Sequence, residues 1–159
     1  MKTLKSSKRK ECCLFKLGQF FQLKHGYAFE GKFFSNSGKH ILLTPGNFYD
    51  EGGFKHKEQE KYYTGEIPNG FILKRNDLLV VMTEQKEGLL GSSAIIPKDD
   101  LYLHNQRLGL VINLDEEKLN KKFLYYLFKY HNIREQIQAT ANGTKVRHTS
   151  PSRICEVKA

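Results

Sequence analysis

The residues best suited to chemistry lie in one stretch, DLLVVMTEQKEGLLGSSAIIP, from Asp77 to Pro97. Its acids Asp77, Glu84 and Glu87, with Lys86 among them, are the types that a magnesium-dependent nuclease uses. Glu84-Gln85-Lys86 has the acid-x-Lys form of such a site. A pattern this short arises by chance, however, and Asp77 stands where a turn residue opens a strand. The run GLLGSS has the small residues of a phosphate loop but not the lysine, and it leads into AIIP rather than a helix. The chain has no GxSxG elbow, and no glycine-rich cofactor site with the aromatic-proline loop of a base-amine methyltransferase. Cys12, Cys13 and Cys155 form no CxxC, and the six histidines share no ligand spacing. Neither a metal nor another cofactor is expected.

What remains are side chains suited to recognition. Between Asn47 and Gly65, Lys55, His56, Lys57, Gln59 and Lys61 stand among Phe48, Tyr49, Phe54, Tyr62 and Tyr63. Long basic and amide groups on an extended loop can enter a nucleic-acid groove, and a mobile surface loop has the same composition. Gln85 and Lys86 suit base edges or phosphate, and equally a solvated turn. Asn105-Gln106-Arg107 is a compact polar trio whose groups match base edges but also pin loops to backbone. The segment GTKVRH offers Thr144, Lys145, Arg147 and His148 to phosphate, with capping of a helix C-terminus as the plainer reading.

The elements that must position these groups are mostly short strands. FFQLK, HILLT, FILK, DLLVVMT, SSAIIP and RLGLVINL are apolar runs bounded by Gly, Pro, Asn or Asp. From Asp115 the pattern turns helical. Phe123, Leu127, Tyr130, Ile133 and Ile137 fall on one face, and Asp115, Glu116 and Glu117 suit the helix N-terminus. His131-Asn132 is a candidate break, Asn142-Gly143 a candidate end, and Ser150-Pro151 the start of a last short helix. The fold class expected is α+β: a small, twisted, mostly antiparallel sheet, with a C-terminal helical segment packed on it, in a single domain.

The chain has 159 residues and a net charge of +9. Lys2, Lys5, Lys8, Arg9 and Lys10 supply more than half of that excess, so residues 1–11 are expected to be a flexible basic tail and 12–159 the domain. A basic balance suggests an anionic partner, most often nucleic acid. No apolar run approaches a membrane span, no signal peptide is evident, and the cysteine usage suits a reducing cytoplasm.

In order and spacing, KLGQFFQLKHGYAF, LLTPGNFYDEGGF, DLLVVMT, GLLGSSAII, HNQRLGLV, FLYYLF and GTKVRHTSPSRI resemble the target recognition domain of the specificity subunit of type I restriction–modification enzymes. The resemblance covers roughly residues 12 to 154. It implies a non-catalytic reader of one half of a split double-stranded DNA target, working in the major groove. It also implies DNA adenine methyltransferase subunits as partners, a motor-nuclease subunit that can join them, and possibly a second half-subunit. Because HNQR belongs to the shared pattern while targets differ among members, the resemblance favours structure or phosphate contact for Arg107 and its neighbours. Such subunits ordinarily carry two recognition domains, each followed by a proline-rich segment and a long spacer helix. Here the sequence ends at ICEVKA, so a lone half-subunit or truncated form without the spacer is expected, useful at least as a protein-interaction remnant.

Overall fold

The structure is a computed structural model that describes residues 14–159. The expected basic tail, residues 1–11, lies outside the described residues. Among the described residues ten strands and three α-helices follow in order: β1 (Gln22–His25), β2 (Phe34–Ser35), β3 (His40–Leu42), β4 (Tyr62–Tyr63), β5 (Leu78–Val81), β6 (Thr83–Glu84), β7 (Ser93–Ile95), β8 (Tyr102–Leu103), β9 (Leu108–Ile112), α1 (Lys121–Lys129), α2 (His131–Ala139), β10 (Arg147–His148) and α3 (Pro151–Cys155). The class is α+β, as expected, but the strands are divided among two four-stranded sheets and a ribbon. One sheet runs β1-β9-β5-β7 and is antiparallel throughout. The other runs β2-β4-β3-β8, with β3 and β8 parallel. Among the described residues, β6 pairs only with β10.

β5 shows why LLVV carries no alternation. Side chains of a strand point to opposite faces in turn, so a strand reads as continuously apolar when both faces are covered. Leu78 and Val80 pack with Phe21, Leu124, Phe128, Ile133 and Ile137 on the helical side. Leu79 and Val81 pack with Ile41, Phe48, Leu73 and Tyr102 on the side of the second sheet. The two cores therefore share one central strand. Ile72 makes only an isolated bridge to Leu103, so FILK contributes the buried Leu73 rather than a full strand.

Three expectations for the helical part are corrected. The first helix is capped by Asn120, whose Oδ1 accepts from the N–H groups of Lys122 at 2.9 Å and Phe123 at 3.3 Å. Asp115 instead closes a turn in which its carbonyl accepts from Lys118 and Leu119 and its carboxylate pairs with Lys118. The apolar face is not the expected one either. Leu124 and Phe128 are buried while Phe123 and Tyr130 are exposed. The break explains this: Tyr130 is extended, with ψ 130°, so the periodicity restarts at His131, and Ile133 and Ile137 belong to a new helix axis. Finally, α2 ends at Ala139, and Gly143 serves a later turn. The last helix starts where expected, with Pro151 at its first position and Ser150 Oγ accepting from Arg153 N–H. Among the described residues, no helix is long and apolar enough to cross a membrane.

Candidate nucleic-acid interface

The polar tip after β5 is not a loose hairpin end. Glu84 is almost fully buried; its Oε2 accepts from Leu90 N–H at 2.8 Å, which closes the loop on itself. Its Oε1 accepts from Arg147 Nη1 at 3.0 Å, and Arg147 Nη2 donates to the carbonyl of Gln138 at 3.0 Å. A second arginine grips the other side. Arg134, on α2, donates to the carbonyls of Leu90 at 3.1 Å, Asp50 at 2.8 Å and Gly88. Charges removed from water are costly unless paired or hydrogen-bonded, and here Arg134 donates from all three of its nitrogens and Arg147 from both Nη atoms. Gln85 and Lys86 are thus exposed at the end of a loop whose base is fixed.

The turn between β8 and β9 is held as firmly. His104 is fully buried and its Nε2–H donates to the carbonyl of Leu108 at 2.9 Å, which leaves Nδ1 without a partner among the described residues. Burial pushes its pKa down to about 4, so the ring is neutral. Tyr27 N–H donates to the carbonyl of His104 and Gln106 N–H to that of Tyr27, both at 2.9 Å. This close pairing needs Gly26: a Cβ there would lie 1.9 Å from the carbonyl oxygen of Asn105. Asn105 Oδ1 accepts from Arg107 N–H at 3.0 Å, and the carbonyl of Arg107 accepts from Met82 N–H at 2.9 Å.

The third part is the turn between α2 and α3. Asn142 and His148 exchange both backbone hydrogen bonds at 3.0 Å. Gly143 has φ +103°, a conformation that favours glycine, and a Cβ there would lie 2.1 Å from the carbonyl oxygen of Val146. Thr144 and Lys145 are carried at the exposed tip.

These pieces converge. Lys61, Gln85, Lys86 and Arg107 line one cleft with Thr44 and Gly46. Arg107 and His148 line the next, with His25 and Gln106. Thr144, Lys145 and Arg147 border a third, beside Glu84, Gln85 and Glu87. Lys57 and Gln59 share a fourth with Lys61, Phe34 and Asn36. Lys61, Gln85 and Arg107 each belong to more than one cleft or border its neighbour, so the clefts adjoin. Ten of the twelve residues expected from the sequence therefore line connected surface. Lys55 and His56 do not: Lys55 Nζ lies 5.6 Å from the Tyr49 ring centre, and the His56 ring packs edge-on against Phe54.

Their availability differs. Lys57 Nζ donates to Thr44 Oγ1 at 2.7 Å, and burial lowers its pKa, with Lys61 and Lys55 acting in the same direction against Glu60. Glu60 is itself used, accepting from Asn47 Nδ2 and Lys57 N–H, both at 2.9 Å. Lys61 Nζ sits 4.8 Å from the Phe34 ring centre. The nuclease residues fare worse still. Glu84 is ion-paired, and Asp77 accepts from Lys74 N–H as a turn residue. Among the described residues, no group of three His, Cys, Asp or Glu is placed to hold a metal ion.

Arg134 and Glu84 as loop anchors were beyond sequence reasoning. An arginine beside Ile133 reads as a solvated helix position, and nothing in spacing links Glu84 to a partner 63 residues away. His25 gave no signal beyond ending a strand.

Comparison with known proteins adds the following. The model of the type I restriction modification DNA specificity domain matches residues 10–158. Among solved structures, the chain is similar to the S subunit of a type I restriction–modification system from M. genitalium. The identity is 21% and the TM-score 0.61, over 98% of this chain and 35% of that one. It is similar to a chain from a type I R-M system solved for its complex assembly and conformational transition, at 12% identity and TM-score 0.64, over 98% and 35%. It is also similar to the HsdS subunit from Thermoanaerobacter tengcongensis, at 12% identity and TM-score 0.58, over 98% and 34%. The chain thus spans about a third of the length of these relatives. No curated protein matches it.

Proposed function

The chain belongs to the type I restriction–modification DNA specificity family, and from that premise we propose that residues 12–159 form a domain that recognises one half-site of a double-stranded DNA target without catalysing a reaction itself. The observation that carries this reading is the convergence of four separate segments, around residues 57–61, 83–86, 105–107 and 144–148, on one surface. Two of that surface's acids, Glu60 and Glu84, are spent on internal contacts, while Lys86 and Lys145 reach solvent. Such a surface neutralises phosphates through its lysines and offers amide and guanidinium groups to base edges.

In this reading Lys61, Lys86, Thr144, Lys145 and His148 contact the backbone, and Gln59, Gln85 and Arg107 face the groove. Arg147 and Lys57 hold the loops that present them. Lys55 and His56 extend the surface on the aromatic side. Methyltransferase subunits, a motor-nuclease subunit and a second half-subunit are the partners that go with this role in the cytoplasm. A second reading, a module that binds a methyltransferase subunit or another half-subunit and contacts DNA only weakly, is favoured by one observation: α1 and its C-cap expose Phe123, Tyr126 and Tyr130.

Selection of duplexes from a randomised pool, by the whole chain at low and at moderate salt, tests the proposal. A short recurring motif that survives the higher salt is expected. Binding that is lost with salt and never yields a motif would refute half-site recognition, and tight capture of a methyltransferase subunit beside it would favour the second reading.

A further inference from the structure

The turn between β8 and β9 is built to a higher standard than a phosphate contact needs. Phosphate is satisfied by a point charge on a flexible stem, which lysine supplies. Arg107 differs from that in its chemistry and in its mounting. Its backbone is fixed on both sides, by Asn105 Oδ1 at 3.0 Å and by Met82 N–H at 2.9 Å. Beneath it, the buried His104 closes the turn onto Leu108, and Gly26 lets Tyr27 pair with His104 and Gln106.

Its guanidinium, by contrast, makes no hydrogen bond or ion pair among the described residues. The other arginines around this surface are committed: Arg134 to three carbonyls, Arg147 to Glu84 and Gln138, and Arg153 to the carbonyl of Thr140 at 2.9 Å. Position adds to the contrast. Arg107 lines both the cleft that holds Lys61 and Lys86 and the cleft that holds His25 and His148, so it lies between two lysines on one side and two imidazoles on the other. A duplex laid across such a surface meets the flanking donors with its phosphates and the middle with a groove.

Against the structural or phosphate role that the shared HNQR pattern favours, we propose that the Gln106–Arg107 turn reads base edges, with Arg107 taking a guanine through its two-pronged donor face and Gln106 an adenine beside it. This deepens the reading of the surface as a duplex-binding face, and rests on it. Arg pairs bidentately with guanine O6 and N7, and Gln with adenine N6 and N7, in the major groove. A braced turn holds the fork where little freedom is lost on docking.

The test compares duplex selection by the whole chain with selection by Arg107→Lys, Arg107→Ala and Gln106→Ala, with affinities measured across salt concentrations. Unfolding midpoints of all three variants should match the parent, since neither side chain makes an internal hydrogen bond. Arg107→Lys keeps the charge and loses the fork. It is expected to keep the salt slope while losing about tenfold to a hundredfold of discrimination at one G·C pair. Gln106→Ala is expected to relax an adjacent pair. An intact motif with Arg107→Lys, together with a salt slope lowered by about one in Arg107→Ala, would make Arg107 a phosphate contact. That overturns this proposal and leaves duplex recognition standing. If the unaltered chain selects no motif, both fall.

Discussion

Two stretches of this molecule carry similar residues and use them differently. From 55 to 61 the chain presents three lysines, a histidine and a glutamine, yet most of these side chains already have company. Lys57 is hydrogen-bonded to Thr44, Lys61 rests on Phe34, Lys55 on Tyr49, and His56 on Phe54. Around 83–86, 105–107 and 144–148 the polarity is inverted. There the buried Glu84, Arg134 and His104 and the partly buried Arg147 take up the internal contacts, and Gln85, Lys86, Gln106, Arg107 and Lys145 are left at the surface. The lesson is that a basic loop is not a binding loop by composition. What counts is whether another group satisfies the scaffold so that the cation need not.

The largest effect separating the two stretches is expected at Arg134. Arg134→Ala leaves the carbonyls of Leu90, Asp50 and Gly88 without their donor, and should cost about 3 to 4 kcal/mol in denaturant unfolding. A loss below about 1 kcal/mol would mean that the loop after β5 does not depend on it.

His104 gives the next largest effect, through pH. Its folded pKa is about 4, below the ordinary value of 6.5. Between those values the unfolded chain holds the extra proton, so stability rises with pH. The contribution is complete above about pH 6.5 and is lost as pH falls towards 4, about 3 kcal/mol in all. His104→Gln, which keeps a donor for Leu108, should lack this dependence. Equal slopes for parent and variant across that window would show that the turn is not braced by a neutral ring.

Glu84→Gln should cost less, about 1 to 2 kcal/mol, because Arg147 is partly exposed and the amide oxygen can still accept from Leu90. The smallest effects form the sharpest contrast. Lys145→Ala should leave stability unchanged and lower the salt slope of DNA binding by about one. Lys57→Ala should leave the slope unchanged and lose about 1 kcal/mol of stability with the Thr44 contact. If the two variants exchanged these signatures, the distinction between the stretches would be reversed.

Much of the scaffold was legible in the sequence because local chemistry decides it. DLLVVMT reads as a strand, and Ser150-Pro151 as a helix start, without reference to the rest of the chain. The division into two sheets was not, since pairing β3 with β8 joins residues some 60 apart and no local pattern records it. The helix face was misread because one extended residue, Tyr130, resets the periodicity. At the surface, residue types pointed to most of the lining side chains. The buried ions that support them stayed hidden, because Glu84 and Arg134 are charged residues in polar surroundings until the fold supplies their partners.

The most direct test of the central claim is a map of backbone amide chemical shifts as the chain is titrated with a duplex that it selects. The account predicts the largest perturbations at Thr83–Lys86, Gln106–Arg107 and Thr144–His148, smaller ones at Gln59–Lys61, and silence around Phe123, Tyr126 and Tyr130 on α1 and its C-cap. Shifts centred on α1, with those three turns unmoved, would contradict it.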